Sequence, residues 1–308
     1  MNIFRGLDDI TPVPSSSVIA AGNFDGVHLG HQRILSLLKQ RAAQRDMPSY
    51  ALTFSPHPRQ VLEGTPLPLI QTLEQRLERM EELDIQNAVI LEFNERFSRI
   101  PAGDFIQHII ARSLHAREII VGRNFSFGRN RDGDVRALRL FQRRFEYRVF
   151  SVPSVLRSGV LVSSSNIRRL LWEGRMPEAA RLLGRPYRIS GPVIPGHSKG
   201  RKLGFPTANI QSVNGILPRG VFITETDVKG SLFPSITNIG SRPTFDGEEL
   251  SVETHLIGEN TDLYEKSLTV LFHQKIREEI RFDSIEALTA RIETDISTAR
   301  AFFDRLHS

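Results

Sequence analysis

Gly22-Asn23-Phe24-Asp25-Gly26-Val27-His28-Leu29-Gly30-His31-Gln32-Arg33 decides how the first half of the chain is read. An apolar run, Val18-Ile19-Ala20-Ala21, enters it, and an amphipathic run, Ile34-Leu35-Ser36-Leu37-Leu38, leaves it. The order is strand, tight glycine-rich turn, helix. Such a turn aims backbone N–H groups and the positive end of a helix dipole at one spot, which suits an anion. Two histidines three residues apart stand beside that spot. The stretch therefore reads as a nucleotide-phosphate site.

Outward from this turn the chain alternates. Ser49-Tyr50-Ala51-Leu52-Thr53-Phe54 predicts a short buried strand. Leu73, Leu77, Met80 and Leu83 recur at helical spacing, and Thr72-Leu73-Glu74-Gln75 has the form of a capping box. Ala88-Val89-Ile90-Leu91 is the next strand. Pro101 predicts a helix start, with Phe105, Ile106, Ile109, Ile110 and Leu114 on one face. Glu118-Ile119-Ile120-Val121 and Tyr147-Arg148-Val149-Phe150 read as strands around a helical stretch within 132–144. Strands alternating with helices predict a parallel, doubly wound α/β sheet. Ligands bind such sheets at the carboxyl ends of their strands.

The pattern changes near Gly184-Arg185-Pro186. Two short helical pieces, around Ile167-Leu170-Leu171 and Ala179-Ala180-Leu182-Leu183, precede the break. Short strands follow at 187–189, 220–224, 235–238, 252–256 and 268–272, punctuated by Gly and Pro. They predict an antiparallel barrel or sandwich. A final helix carries Ile285, Leu288, Ile292, Ile296, Ala299, Phe302 and Phe303 in one apolar stripe, expected to cover the barrel, and Asp283 with Glu286 resembles its N-terminal cap. The expected domains are residues 1–184 and 185–308.

Composition narrows the function. The chain has 308 residues, with 40% hydrophobic and 24% charged, as in an ordinary globular protein. No apolar run is long enough to span a bilayer, and acids at Asp8 and Asp9 argue against a secretory leader. There is no cysteine, which excludes disulfides and thiolate metal sites and fits a reducing cytoplasm. The net charge of +5 comes with local clusters at Arg129-Asn130-Arg131, Arg143-Arg144 and Lys199-Gly200-Arg201-Lys202. No RNA-reading motif with interleaved aromatics accompanies them, so nucleic acid is not expected as a partner.

His28 and His31 are open to a metal-site reading, but zinc needs further protein ligands and only His57 stands nearby. A packing role is open too, although the glycine-rich surround exposes backbone for a ligand. The 22–31 stretch resembles the signature of the HxGH nucleotidyltransferase superfamily, in the form found in prokaryotic bifunctional riboflavin kinase/FAD synthetases. Thr53-Phe54-Ser55-Pro56-His57-Pro58, Val121-Gly122-Arg123-Asn124-Phe125-Ser126-Phe127-Gly128 and Val162-Ser163-Ser164-Ser165-Asn166-Ile167-Arg168 resemble three further motifs of that family. The resemblance implies a Rossmann-like domain that adenylylates FMN with ATP to give FAD and pyrophosphate. It implies an ATP site at Gly22, Asn23, Phe24, Asp25, Gly26, His28, His31, Ser164, Ser165 and Arg168. Flavin contacts fall at Pro56, His57, Pro58 and Asn124. His28, His31 and Arg168 carry the catalysis. Many family members have Asp where this chain has Asn124, which is also a fair turn residue.

Gly196-His197-Ser198-Lys199-Gly200-Arg201-Lys202-Leu203-Gly204-Phe205-Pro206-Thr207-Ala208-Asn209 is not a Walker loop. Its Gly-Phe-Pro-Thr-Ala-Asn ending resembles the riboflavin kinase signature. Thr237-Asn238-Ile239-Gly240-Ser241-Arg242-Pro243-Thr244-Phe245 and Val252-Glu253-Thr254-His255 match the same family. This resemblance implies a barrel with a terminal helix that phosphorylates riboflavin. ATP and Mg²⁺ would bind at Gly196, Lys202, Gly204, Pro206, Thr207 and Asn209, with Thr207 and Asn209 on the metal and Glu253 as general base. The implied partners are the small molecules riboflavin, FMN and ATP, in the cytoplasm and without a membrane; the oligomeric state is left open. A flavin-binding module would have no need of His28, His31, Arg168, Thr207, Asn209 and Glu253 together.

Overall fold

Val18-Ile19-Ala20-Ala21 is apolar without alternation because both faces of its strand are covered. The computed structural model describes residues 1–10, 14–195, 203–244, 247–259, 263 and 266–307. In it this strand is β2 (Ser17–Ala21) of a six-stranded sheet. Its parallel neighbours are β3 (Ser49–Ser55) and β5 (Ala116–Gly122). β4 (Asn87–Glu92) joins β3, and β1 (Asn2–Arg5) lies beyond β4. The strand Arg148–Val152 closes the other edge, beside β5. Every pairing is parallel. The chain winds outward from β2 to β3 and β4, then returns to the other side of β2 with β5. The topological switch point therefore lies between β2 and β5, where such sheets bind ligands. β1 is an addition to the expected strands. Four residues at an edge, three of them exposed, carry too little apolar pattern to be read from sequence.

Alternate side chains along β2 feed two cores. Ile19 and Ala21 join Leu52, Phe105, Ile106 and Ile110 on one face. Val18 and Ala20 join Ala51, Ala88 and the helix α1 (Leu29–Arg45), through Ile34, Leu35 and Leu38, on the other. Burial of each large side chain contributes about 1.5–3 kcal/mol. α2 (Pro58–Glu63) and α3 (Leu73–Glu82) both begin in capping boxes. Thr72 and Gln75 form the expected one, each side chain accepting the other's backbone N–H.

The helix expected from Pro101 differs from its reading. Pro101 is the cap, Ala102–Asp104 is α-helical, and Phe105–Ser113 is π-helical. Leu114 N–H donates to Ile109 O, five residues back, at 3.1 Å. The apolar positions recur in steps of four and five (105, 109/110, 114), so the wider turn keeps them on one buried face.

Compact packing divides the chain into two units. The first is Met1–Leu67 with Thr72–Ser164; the second is Pro68–Gln71 with Ser165–Ser308. The second contains a closed antiparallel barrel. Around it run Tyr187–Ile194, Ala208–Ile210, Gly247–Leu256, Ser231–Thr244, Gly220–Val228 and Ser267–Arg277, which pairs back onto the first. Several strands are longer than their apolar cores, because polar residues continue the ladder. Thr224, Thr226, Ser235, Thr237 and Thr254 point inward and are fully buried. Their hydroxyls bond one another at 2.7–2.8 Å from Thr224 to Ser235 and Thr237, Thr226 to Ser235, and Thr237 to Thr254.

The helix Ile285–His307 packs Ala299 and Phe303 on Ile223 and Ile236 of the barrel wall, with Ile292, Ile296 and Phe302 beside them. Two details of its reading are corrected. Ile285 is 62% exposed and stands outside the stripe, because it lies in the first turn, ahead of the wall. Ser284, not Asp283, caps the helix: its Oγ accepts from Ala287 N–H at 3.1 Å, being the residue just before the first helical one. Asp295, on the same helix, is buried and held by Arg277 at 2.8 Å and Arg291 at 3.2 Å.

Phe303→Ala should destabilise the barrel by about 3–5 kcal/mol. Ile285→Ala should stay within about 0.5 kcal/mol. Denaturant unfolding followed through Trp172, the one tryptophan, compares the two.

Candidate active sites

The first site is built on a strained turn. Between β2 and α1, Phe24 and Val27 adopt φ of 50° and 37°, costly values for an aromatic and a β-branched residue. Gly26, at φ 85°, takes the same region freely. Both strained side chains are fully buried, so packing holds them there. The turn ends at His28, which caps α1: its Nδ1 accepts from His31 N–H at 3.3 Å. α1 thus starts at Leu29, earlier than the apolar run predicts, and His31 sits in its first turn. The two imidazoles stack with centroids 3.6 Å apart and planes 15° apart. Phe24 meets His31 edge-on at 5.3 Å. A side chain at Gly30 would approach the His28 ring to 3.1 Å, so glycine leaves that ring its place.

His31 keeps part of its ring exposed, but its Nδ1 is buried with no hydrogen-bond partner among the described residues. Burial pushes its pKa well below the ordinary 6.5, and the charges of His28 and Arg76 push the same way. A neutral His31 imidazole stacked on His28 at a helix start can donate to phosphate oxygens while the helix end attracts their charge.

The remaining residues of this half fall at neighbouring strand ends. Gly22 and Asn23 follow β2 directly, and Asn23 O accepts from Thr53 Oγ1 at 3.1 Å. Asp25 is buried, and its carbonyl accepts from Ser164 Oγ at 3.0 Å. Pro56 and Pro58 flank His57 just past β3. The His57 side chain is buried and caps α2 by accepting from Arg59 N–H at 3.2 Å. Asn124 is exposed in the turn after β5. In the second unit Ser165 is exposed, and Arg168 is buried with Nε donating to Pro68 O at 2.9 Å.

The second site is set by strand register. Asn209 lies opposite Glu253, which lies opposite Asn238, so the three form a row across adjacent strands. Their neighbours Ala208, Val252 and Thr254 point into the barrel, so this row is half-buried on the outer face. Thr207 is exposed beside it, and Gly204 turns at φ 86°. His255 Nδ1 lies 2.8 Å from Pro206 O, and its ring meets Phe205 edge-on at 5.9 Å. A pocket of about 560 Å³ opens here, lined by Gly204, Phe205, Pro206, His255, Ile296 and Arg300 among others. Ile296 and Arg300 were missed from sequence, where their helix reads only as a cover. Gly196, Lys202 and Phe245 lie outside the described residues. Among the described residues no group of three or more His, Cys, Asp or Glu side chains could hold a metal ion.

The chain matches the FAD synthetase family over residues 10–166 and the riboflavin kinase family over residues 183–303. It is 38% identical to a bifunctional riboflavin kinase/FMN adenylyltransferase of Pseudomonas fluorescens, covering 98% of this chain and 97% of that protein. The protein of the same description from Escherichia coli K12 is 34% identical, with 98% of each covered. A solved structure from Streptococcus pneumoniae, described as a macrolide-efflux protein, superposes with a TM-score of 0.87 at 27% identity, covering 97% of this chain and 98% of that one. No described helix of this chain is long and apolar enough to cross a membrane.

Imidazole NMR should find His31 neutral near pH 6.5, where a free histidine is half protonated. Below that pH the unfolded chain takes up a proton that the folded chain refuses, so stability falls as pH drops toward the depressed folded pKa. His31→Gln should flatten this part of the stability profile. A His31 resonance that titrates at its ordinary pH would contradict the burial effect.

Proposed function

This chain belongs to the bifunctional riboflavin kinase/FMN adenylyltransferase family, and we propose that its two activities reside at the two sites just described. It phosphorylates riboflavin to FMN with one ATP and adenylylates FMN to FAD with another, releasing pyrophosphate. With ATP as co-substrate of both steps, the cytoplasm is the proposed compartment.

In adenylyl transfer, a phosphate oxygen of FMN forms a bond to the α-phosphorus of ATP as the bond to pyrophosphate breaks. Both reactants are anions, so the protein mainly positions them and neutralises developing charge. His28 and His31 contact the ATP phosphates, with the Gly22–Gly26 backbone and Ser164 around them. The observation that carries this reading is the stacked imidazole pair at the start of α1, beside the switch point of the sheet. Pro56, His57, Pro58 and Asn124 take the flavin side; their loops follow the two strands adjacent to β2. The roles of Ser165 in phosphate binding and of Arg168 on the leaving pyrophosphate rest on the family motif.

In the kinase step, Glu253 accepts the proton of the riboflavin 5′-hydroxyl as that oxygen bonds to the γ-phosphorus of ATP and the bond from that phosphorus to the departing ADP breaks. Its support is the cross-strand row: the carboxylate stands between two amide side chains on an open face beside the pocket. The pocket, partly apolar and of suitable size for a ring system, is lined in part by Gly204 and Pro206 of the ATP motif and takes a ring of the bound substrates. Thr207 and Asn209 supply oxygen atoms next to a carboxylate, a donor set that fits Mg²⁺. When bound with ATP, Mg²⁺ neutralises phosphate charge. Pro206 and Gly204 take the phosphate side; the roles of Gly196 and Lys202 rest on the family motif.

The experiment is incubation with riboflavin, ATP and Mg²⁺, with the flavins separated by chromatography. FMN and FAD should both form. His28→Ala and His31→Ala should each lower FAD formation by about 10²–10³-fold and leave FMN formation intact. Glu253→Gln should lower FMN formation by about 10²–10⁴-fold, yet still make FAD from supplied FMN. FAD formation at the wild-type rate by both histidine variants would sink the first assignment, and wild-type kinase turnover by Glu253→Gln the second.

A further inference from the structure

Arg76 is among the largest fully buried side chains of the protein, at 2% exposure, and neither reaction described above uses it. It sits on α3, whose apolar face packs under the sheet through Leu77 and Met80. A buried guanidinium is costly, and an apolar side chain of similar size fills such a place without that cost. Its partners show what the charge is used for. Nη1 donates to Thr53 Oγ1 and to Phe54 O, both at 3.1 Å. Thr53 Oγ1 passes the chain on by donating to Asn23 O at 3.1 Å. Nε is buried with no hydrogen-bond partner among the described residues. One guanidinium is therefore tied to the last turn of β3, before Ser55-Pro56-His57, and through one hydroxyl to the loop that follows β2.

We propose that Arg76 is a positioning residue for adenylyl transfer, clamping the carboxyl ends of β2 and β3 from beneath so that the nucleotide loop and the flavin loop keep one fixed spacing. The inference rests on the adenylyl-transfer reading of these loops. The reaction needs a phosphate oxygen of FMN held in line with the α-phosphorus of ATP, and an offset of about 1 Å between the two costs about 10²-fold in rate. β2 and β3 are already paired in parallel up to Ala21 and Leu52, but the ladder ends there. Gly22 N–H still donates to Leu52 O at 3.1 Å; beyond that bond the Arg76–Thr53–Asn23 chain ties the nucleotide loop to the last residues of β3, from which the flavin loop leaves. The same cation lies close enough to act on Asp25 and His31, so it also adds positive potential behind the phosphate site.

The test uses the full chain, in which kinase turnover by the second unit is the internal standard and far-UV circular dichroism with thermal unfolding reports on folding of the first. Arg76→Met should lower kcat for FAD formation from supplied FMN by about 10²-fold. KM for ATP and for FMN should stay within about threefold, because each loop still binds its own substrate and only their mutual alignment is lost. Riboflavin kinase turnover should not change. Thr53→Val breaks the relay to Asn23 without removing the charge and should show the same split, with a loss of about threefold to tenfold. Thr53→Ser, which keeps the hydroxyl, should restore the rate. Should Arg76→Met fail to fold, the Thr53 pair decides alone. The clamp is overturned if Thr53→Val keeps wild-type kcat, or if Arg76→Met raises KM at unchanged kcat. His31→Ala, run in parallel, separates the premise from the inference. If it still forms FAD normally, the site reading itself has failed; if it is inactive while Arg76→Met and Thr53→Val are wild-type, only the clamp has.

Discussion

The first half of the protein depends on one sharp reversal, the seven residues from Gly22 to His28 that leave β2 and begin α1. Two of them, Phe24 and Val27, hold backbone angles that cost on the order of 1–3 kcal/mol each. Both side chains are fully buried, which returns about 1.5–3 kcal/mol each. The two effects nearly cancel, so the turn is stable only as part of the packed core. This is how a soft loop becomes a rigid mount: His28 caps the helix it introduces, His31 stacks on it, and Phe24 braces His31 from the side. The histidines are then fixed by the helix cap and by ring packing.

The barrel fixes its site by parity instead. Side chains alternate in and out along each strand, so a slip of one residue in its own strand would carry Asn209, Glu253 or Asn238 to the interior. What opposes such a slip is the hydroxyl cluster on the inner face. Thr254, next to Glu253, is hydrogen-bonded to Thr237, next to Asn238, at 2.7 Å, and Thr224 joins them. A slip would leave these buried hydroxyls unpaired, which is costly in a water-free interior. The polar interior and the reactive exterior are two faces of the same register.

Two kinds of chemistry thus share one chain and one co-substrate through unrelated devices. On the proposed assignment, adenylyl transfer uses a helix start and imidazoles, where charge needs only to be held, and the same assignment gives the kinase step its residues. Phosphoryl transfer uses a carboxylate beside oxygen ligands, where a proton must also be accepted. Neither follows from the fold alone, since parallel sheets and small barrels each serve many reactions.

The amino-acid sequence by itself determined the alternation of strands and helices up to Gly184, the antiparallel character beyond it, and the two signature stretches. These are local: apolar period, turn residues and motif spacing lie within a few residues of one another. Thr72-Gln75 was legible as a capping box for the same reason. What the tertiary structure decided are relations between distant residues. Thr224, Thr226, Thr237 and Thr254 look like solvent-facing polar positions in a strand, yet barrel closure buries them. Ile285 continues an apolar stripe, yet no barrel wall lies beneath it, and the steps at 105, 109/110 and 114 resolve into a π-helix only against the sheet. The pairing of Glu253 with Asn209, and the position of Ile296 and Arg300 at the pocket, depend on register and helix docking. Arg76 is the plainest case. On a helical wheel it is a lone charge inside the Leu73-Leu77-Met80-Leu83 stripe, and only the approach of Thr53 and Phe54 shows what holds it there. Local pattern sets which residues face a core; packing sets which core, and what else is held there.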